Sequence, residues 1–184
     1  MKPTILASAA VLSLLAAGSA GAAVTVLGSS LAEDCAQAAF HGKSDNTALE
    51  ICNQALQEGV LGSRDEAGTY VNRGVILMTR RDYDHALADF RHAISIVPSM
   101  GESWVNLGAV EVAEKRYQDG VTDISKGLDL GIQEPAKAHY NRALAYEGLD
   151  DETNAYRDYE AALTLDPNWD LPKQELLRFT VIQR

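Results

Sequence analysis

The stretch at residues 70–98, YVNRGVILMTRRDYDHALADFRHAISIVP, decides the fold because it is rewritten twice, as WVNLGAVEVAEKRYQDGVTDISKGLDLGI at 104–132 and as HYNRALAYEGLDDETNAYRDYEAALTLDP at 139–167. Asn72, Asn106 and Asn141 are 34 and then 35 residues apart. The same steps relate Gly74, Gly108 and Ala143; Ala86, Gly120 and Ala155; Asp89, Asp123 and Asp158; and Ala93, Gly127 and Ala162. Within each copy, apolar residues recur at helical spacing in two runs, and proline or glycine closes the second. A helix pair of this size cannot bury its apolar face alone, so such copies must stack into a row.

The chain resembles the tetratricopeptide repeat family on Tyr70, Gly74, Tyr83, Ala86, Phe90, Ala93 and Pro98 in the first copy. Trp104, Leu107, Gly108, Tyr117 and Leu128 carry the resemblance in the second, and Tyr146, Ala155, Tyr159, Ala162 and Pro167 in the third. It implies an all-α fold: a right-handed α-solenoid of helix hairpins over 24–170, with clear copies at 67–100, 101–135 and 136–169. Ala48, Ala55 and Leu56 precede Ala86, Ala93 and Ile94 by 38 residues, which places a degenerate copy at 29–66. Asp170, Leu171 and Pro172 read as a helix start, followed by Leu176, Leu177, Phe179 and Ile182, so a capping helix is expected over 170–184. Gly120 and Gly127 stand inside the second helix of the middle copy, where glycine costs about 1 kcal/mol relative to alanine. That copy is expected to be the softest.

With Gly74 taken as the closest approach of the helices and 100° per residue, Asn72, Val75 and Thr79 turn away from the packed side, with Val71 at its margin. Across the copies this gives a line of Val71, Asn72, Val75, Thr79, Val105, Asn106, Ala109, Tyr140, Asn141 and Leu144, which resembles the concave ligand groove of the family. Lys137 alone adds an evident positive charge near it, too little for a clamp on acidic peptide tails. An asparagine amide both donates and accepts, which suits the backbone of an extended peptide; local capping between helices is the competing reading. Arg73 precedes Asp89 by 16 residues and Arg142 precedes Asp158 by the same 16, a spacing that suits structural ion pairs across each hairpin. The alternative use of these arginines is to hold a ligand carboxylate or phosphate. Leu107 takes the Arg place in the middle copy and leaves Asp123 without that partner.

The chain has 184 residues with 16 Lys and Arg against 26 Asp and Glu, a formal charge of −10 that disfavours nucleic acid and anionic membrane surfaces. Residues 1–23 carry Lys2, an apolar run from Ile5 to Ala17 and small residues from Gly18 to Ala23, the pattern of a secretory signal peptide cut after Ala22 or Ala23. A retained anchor over Ile5 to Leu27 is the rival, and no stable membrane insertion is expected after cleavage. The expected location is the periplasm for a Gram-negative source and outside the cell otherwise. Cys35 and Cys52 flank a turn-rich stretch, His41 to Asn46, and in an exported chain two such cysteines favour a disulfide over buried thiols or a redox or metal site. His41, His85, His92 and His139 form no metal or catalytic motif, and no cofactor motif is found. The expected role is a scaffold or adaptor that binds protein or peptide through the groove. A structural subunit of an envelope or secretion assembly, working through its flanks, is the alternative, with a small enzyme third; oligomeric state and partner identity are not written in the sequence.

Overall fold

The computed structural model describes residues 4–7, 21–26, 30–58 and 60–182, so most of the expected export signal, 8–20 included, and positions 183–184 lie outside the described residues. The fold is a right-handed solenoid of antiparallel helix pairs: α1 (Ser30–Phe40) with α2 (Asn46–Glu58), α3 (Ser63–Thr79) with α4 (Tyr83–Ile96), α5 (Gly101–Ala113) with α6 (Tyr117–Leu130), and α7 (Pro135–Gly148) with α8 (Glu152–Leu165). Each pair packs on the next, and α9 (Asp170–Leu176) follows on α8.

All four hairpins turn by one device. Gly42, Arg81, Lys115 and Asp150 hold φ of 65°, 62°, 63° and 58°. The amide after each reaches back five residues, Lys43 to Ala38, Asp82 to Leu77, Arg116 to Glu111 and Asp151 to Tyr146, at 2.8–2.9 Å. This is a Schellman closure, which satisfies carbonyls left over at the helix end and reverses the chain. Three of the four turns place a side chain in the left-handed region, at a cost of about 1 kcal/mol each, so the surrounding packing must impose the turn. The first pair, α1 with α2, where the degenerate copy is expected, turns by the same closure as the clear ones.

Inside the hairpins the contact residues differ. A Cβ on Gly74 would stand 2.5 Å from Cε1 of the fully buried Phe90, so the small residue in α3 makes room for a ring from α4. In the middle pair a Cβ on Gly127 would meet Gly101 O at 2.6 Å, and one on Gly120 would meet Gly108 O at 3.0 Å. Here α5 and α6 touch backbone to backbone. The expectation of a soft middle copy treated α6 as an isolated helix; in the pair, its glycines are the contact surface.

The capping helix expected over 170–184 ends at Leu176, and the chain continues as β2 (Phe179–Ile182), antiparallel to β1 (Thr4–Ala7) with Thr4 opposite Ile182 and Ala7 opposite Phe179. Arg178 pairs with Glu147 and Glu175 at the turn, and the Phe179 ring sits 5.7 Å from Tyr156 and 6.1 Å from Tyr159. Those anchors draw the chain off the helix axis, and the β-branched run Thr180, Val181, Ile182 suits a strand. No helix among the described residues is long and apolar enough to cross a membrane.

Candidate functional site

The concave side of the solenoid is occupied by the chain's own residues 21–26, which run without regular secondary structure beside α3 and α5. The Ala22 amide donates to Asn106 Oδ1 at 2.9 Å, and Asn106 Nδ2 donates to the Ala22 carbonyl at 2.9 Å. Two residues on, Val24 N donates to Asn72 Oδ1 at 2.7 Å and its carbonyl accepts from Asn72 Nδ2 at 2.8 Å. Each carboxamide thus satisfies both polar groups of one peptide residue, in the manner of a neighbouring strand. Both asparagines are fully buried, so leaving either amide unpaired would cost about 1–3 kcal/mol.

Side chains of the segment alternate: Ala22, Val24 and Val26 are buried, while Thr25 between them is exposed. Val24 and Val26 lie on Gly68 of α3, where a Cβ would stand 3.2 and 3.0 Å from their methyl groups. A Cβ on Gly21 would stand 2.9 Å from both Met78 Cε and Val75 Cγ1, so this position accepts a residue without a side chain. Asn141, the third of the series, is 5% exposed, and its Nδ2 has no hydrogen-bond partner among the described residues. A cavity of about 260 Å³ opens beside the segment, between Val24, Thr25, Glu33, Phe40 and Gln133.

The structure therefore brings Asn72, Asn106 and Val75 onto the groove, with Ala109 buried in the cluster that also holds Val24 and Val75. Other expected groove residues lie elsewhere. Val105 packs into α6, its Cγ2 filling the place of a Cβ on Gly127, and Val71, at the equivalent position of the previous copy, is fully buried. Tyr140 stacks on Tyr159 at 5.5 Å and Trp169 at 4.9 Å, and burial pushes its hydroxyl up to about 12. Val105 and Tyr140 point between helices because Asn106 and Asn141 occupy the next position round, one residue further toward the concave side, while Val71 shares the cluster that holds Val24. Leu144 is half-buried against the last two hairpin cores, and Thr79 is exposed, its hydroxyl donating to the Val75 carbonyl at 2.9 Å. Lys137 pairs with Glu134 at 2.9 Å and lines a separate cavity of about 540 Å³ with Trp169 and Leu171. Met78 and Gly68 also face the segment, outside the line of residues expected for the groove; the alternating Ala22, Val24, Val26 was the one signal in the sequence for a strand-like occupant.

Arg73 grips Asp89 with two parallel hydrogen bonds of 2.8 and 2.7 Å and sends a third, at 2.9 Å, to Asn53 of α2. Arg142 does the same with Asp158 at 2.7 and 2.9 Å, and reaches Ser125 of α6 at 2.9 Å. Each arginine therefore closes its own hairpin and ties it to the preceding one. The hydrogen bonds to these carboxylates raise Arg73 and Arg142 above their ordinary values against the pull of burial. Burial alone would raise Asp158, but hydrogen bonds from Arg142 and His139 outweigh it and hold the carboxyl below its usual range. In the middle copy Glu111 takes up the slack. Burial first, then the charge of Asp123, pushes Glu111 up to about 7 despite Arg116 at 2.9 Å. Burial raises Asp123 too, partly offset by the hydrogen bond it takes from Glu111.

Cys35 of α1 and Cys52 of α2 are fully buried with Cα atoms 4.9 Å apart and sulfurs at 2.07 Å, the geometry of a disulfide across the first hairpin.

A solenoid of helix hairpins that seats an extended segment on its concave face defines the class. Residues 67–99 and 136–169 each match the tetratricopeptide repeat family, so the chain carries tetratricopeptide repeats. No curated protein sequence matches the chain. Among solved structures, it is similar to the tetratricopeptide domain of Arabidopsis OM64, at 20% identity over 64% of this chain and 96% of that one, with a TM-score of 0.60. MamA from Desulfovibrio magneticus RS-1 aligns at 21% identity over 80% and 82% of the two chains, with a TM-score of 0.61. The second tetratricopeptide domain of human RPAP3, solved in complex with the HSP70 peptide SGPTIEEVD, aligns at 21% identity over 63% and 96%, with a TM-score of 0.57. At these identities the likeness establishes the fold.

Proposed function

We propose that the protein is an exported, non-enzymatic adaptor whose concave groove holds an extended peptide segment by its backbone through Asn72, Asn106 and Asn141. The observation that carries this reading is the pair of two-way amide contacts on Ala22 and Val24, because they recognise main chain and ask little of side chains. RPAP3, similar in fold, was solved with a bound peptide, which agrees with a peptide-binding role. Export is supported by the tripartite pattern of residues 1–23 and by the cysteine pair, which an oxidising compartment would keep joined. Removal of residues up to 22 or 23 would take Ala22 from Asn106 and leave Val24 on Asn72. The reading is tested with ten-residue peptides selected from a display library on the protein. Ligands of the groove bind the chain cut after Ala23, where Ala22 no longer occupies Asn106, and lose tenfold or more in Kd on Asn106→Ala there, provided that variant melts as a folded protein; unchanged Kd values would contradict groove binding.

A further inference from the structure

The groove is not empty, and what fills it has a definite chemistry. Its occupant is extended, presents two peptide units to two buried asparagines, and shows a glycine, an alanine and two valines where the walls are closest. Asn141 repeats the position of Asn72 and Asn106 one copy further along, is 5% exposed, and has an Nδ2 hydrogen that no described residue accepts. A buried donor with no described partner, in series with two answered ones, marks the groove as longer than the contacts that residues 21–26 make with it. The walls also set side-chain size. Val75 crowds a Cβ on Gly21 with methyl groups at 2.9 and 3.1 Å, the Met78 methyl at 2.9 Å would have to swing aside, and the bare backbone of Gly68 receives Val24 and Val26.

Resting on the groove reading above, we propose that in the chain before its leader is cut residues 21–26 are a tethered competitor for the site, weakened when cleavage after Ala22 or Ala23 removes the contact with Asn106. The partner they hold off is an extended peptide of the same pattern, a glycine followed by small and β-branched residues at alternate positions. The effective concentration of a segment joined to the solenoid is high, so a free peptide meets an occupied groove until the tether is released. Specificity then lies in what Met78 and Val75 refuse, since the asparagines accept any backbone able to present an N–H and a carbonyl.

The test uses a fluorescent peptide of sequence GAAVTVLG, that of residues 21–28, titrated into the full chain and into the full chain carrying Ala22→Pro and Val24→Pro. These prolines remove the two amide donors of the tether and leave every groove residue in place. The released chain is expected to bind the peptide at least tenfold more tightly than the unaltered chain. Replacing the first glycine of the peptide by leucine should cost tenfold or more, recovered in part by Met78→Ala. Equal Kd values for the unaltered and released chains would overturn the tethered competitor. Equal binding of the glycine and leucine peptides would overturn the size rule. Binding to the released chain that ignores Asn106→Ala would instead sink the groove reading beneath both. Should the proline pair fail to fold, Val24→Asp, which places a charge at a position 6% exposed, expels the segment in its stead.

Discussion

In the α3–α4 hairpin a ring fills the space between two helices, whereas in the α5–α6 hairpin that space does not exist. Phe90 lies against Gly74 in the first; in the second, backbone oxygens of Gly101 and Gly108 come within 3.0 Å of where Cβ atoms of Gly127 and Gly120 would be. The outer hairpins are also clamped by Arg73 with Asp89 and Arg142 with Asp158, while the middle one has Leu107 at the arginine position and a carboxyl pair, Glu111 with Asp123, in its place. The difference teaches that one turn geometry and one spacing can be met by two contact chemistries. Close glycine packing lets dispersion contacts between the helices take over where the charge clamp is missing.

The comparison breaks most visibly if the clamp is moved. Arg142→Leu copies the middle hairpin's leucine into the last one and strands the buried Asp158 with His139 alone; a loss of about 3 kcal/mol in denaturant unfolding at pH 7 is expected, shrinking in acid as the carboxyl protonates. A loss below about 1 kcal/mol would mean that the outer hairpins need no clamp. Gly127→Ala comes next. Helix propensity alone forecasts a gain of about 1 kcal/mol, and the clash with Gly101 O and Val105 forecasts a loss of about 1–3 kcal/mol; the sign of the shift in melting temperature decides between them. The smallest effect sharpens the electrostatic half. Glu111 titrates near 7 when folded and near 4.5 when unfolded, so the folded protein binds the extra proton between those values. Its contribution is therefore full below pH 4.5 and falls as pH rises to about 7, the opposite of Asp158, whose contribution is present above its unfolded value and lost in acid. Glu111→Gln should flatten the stability profile between pH 4.5 and 7 and add about 1–2 kcal/mol at pH 8 relative to the native chain. An unaltered slope would remove Glu111 from the account.

Much of this was legible in the sequence because it rests on repetition. Asn72, Asn106 and Asn141 recur at the period of the hairpin, and a two-way amide suits main chain, with local capping between helices as its competing use. The 16-residue step from Arg73 to Asp89 is the distance across one hairpin, so the clamp could be read as well. What could not be read depends on pairs of elements. A propensity scale describes α6 alone and cannot know that α5 lies against its glycines. Val105 and Tyr140 sit one position round from the groove line, within the error of an ideal 100° step on packed helices. β2 was hidden because Leu176, Leu177, Phe179 and Ile182 mimic helical spacing, while its strand partner, Thr4–Ala7, lies in a stretch that reads as an export signal. The occupant of the groove was hidden by the same stretch, whose composition of small residues suits both a peptidase and a narrow cleft.

The central claim is that two buried asparagines hold the main chain of Ala22 and Val24 on the concave face, and amide hydrogen exchange of the full-length chain, read residue by residue by NMR, tests it most directly. The account predicts slow exchange at Ala22 and Val24 with fast exchange at the exposed Thr25, and protection at Val24 lost in Asn72→Ala while that at Asn141 itself is kept. Fast exchange at Ala22 and Val24 in a chain whose helices are protected would contradict it.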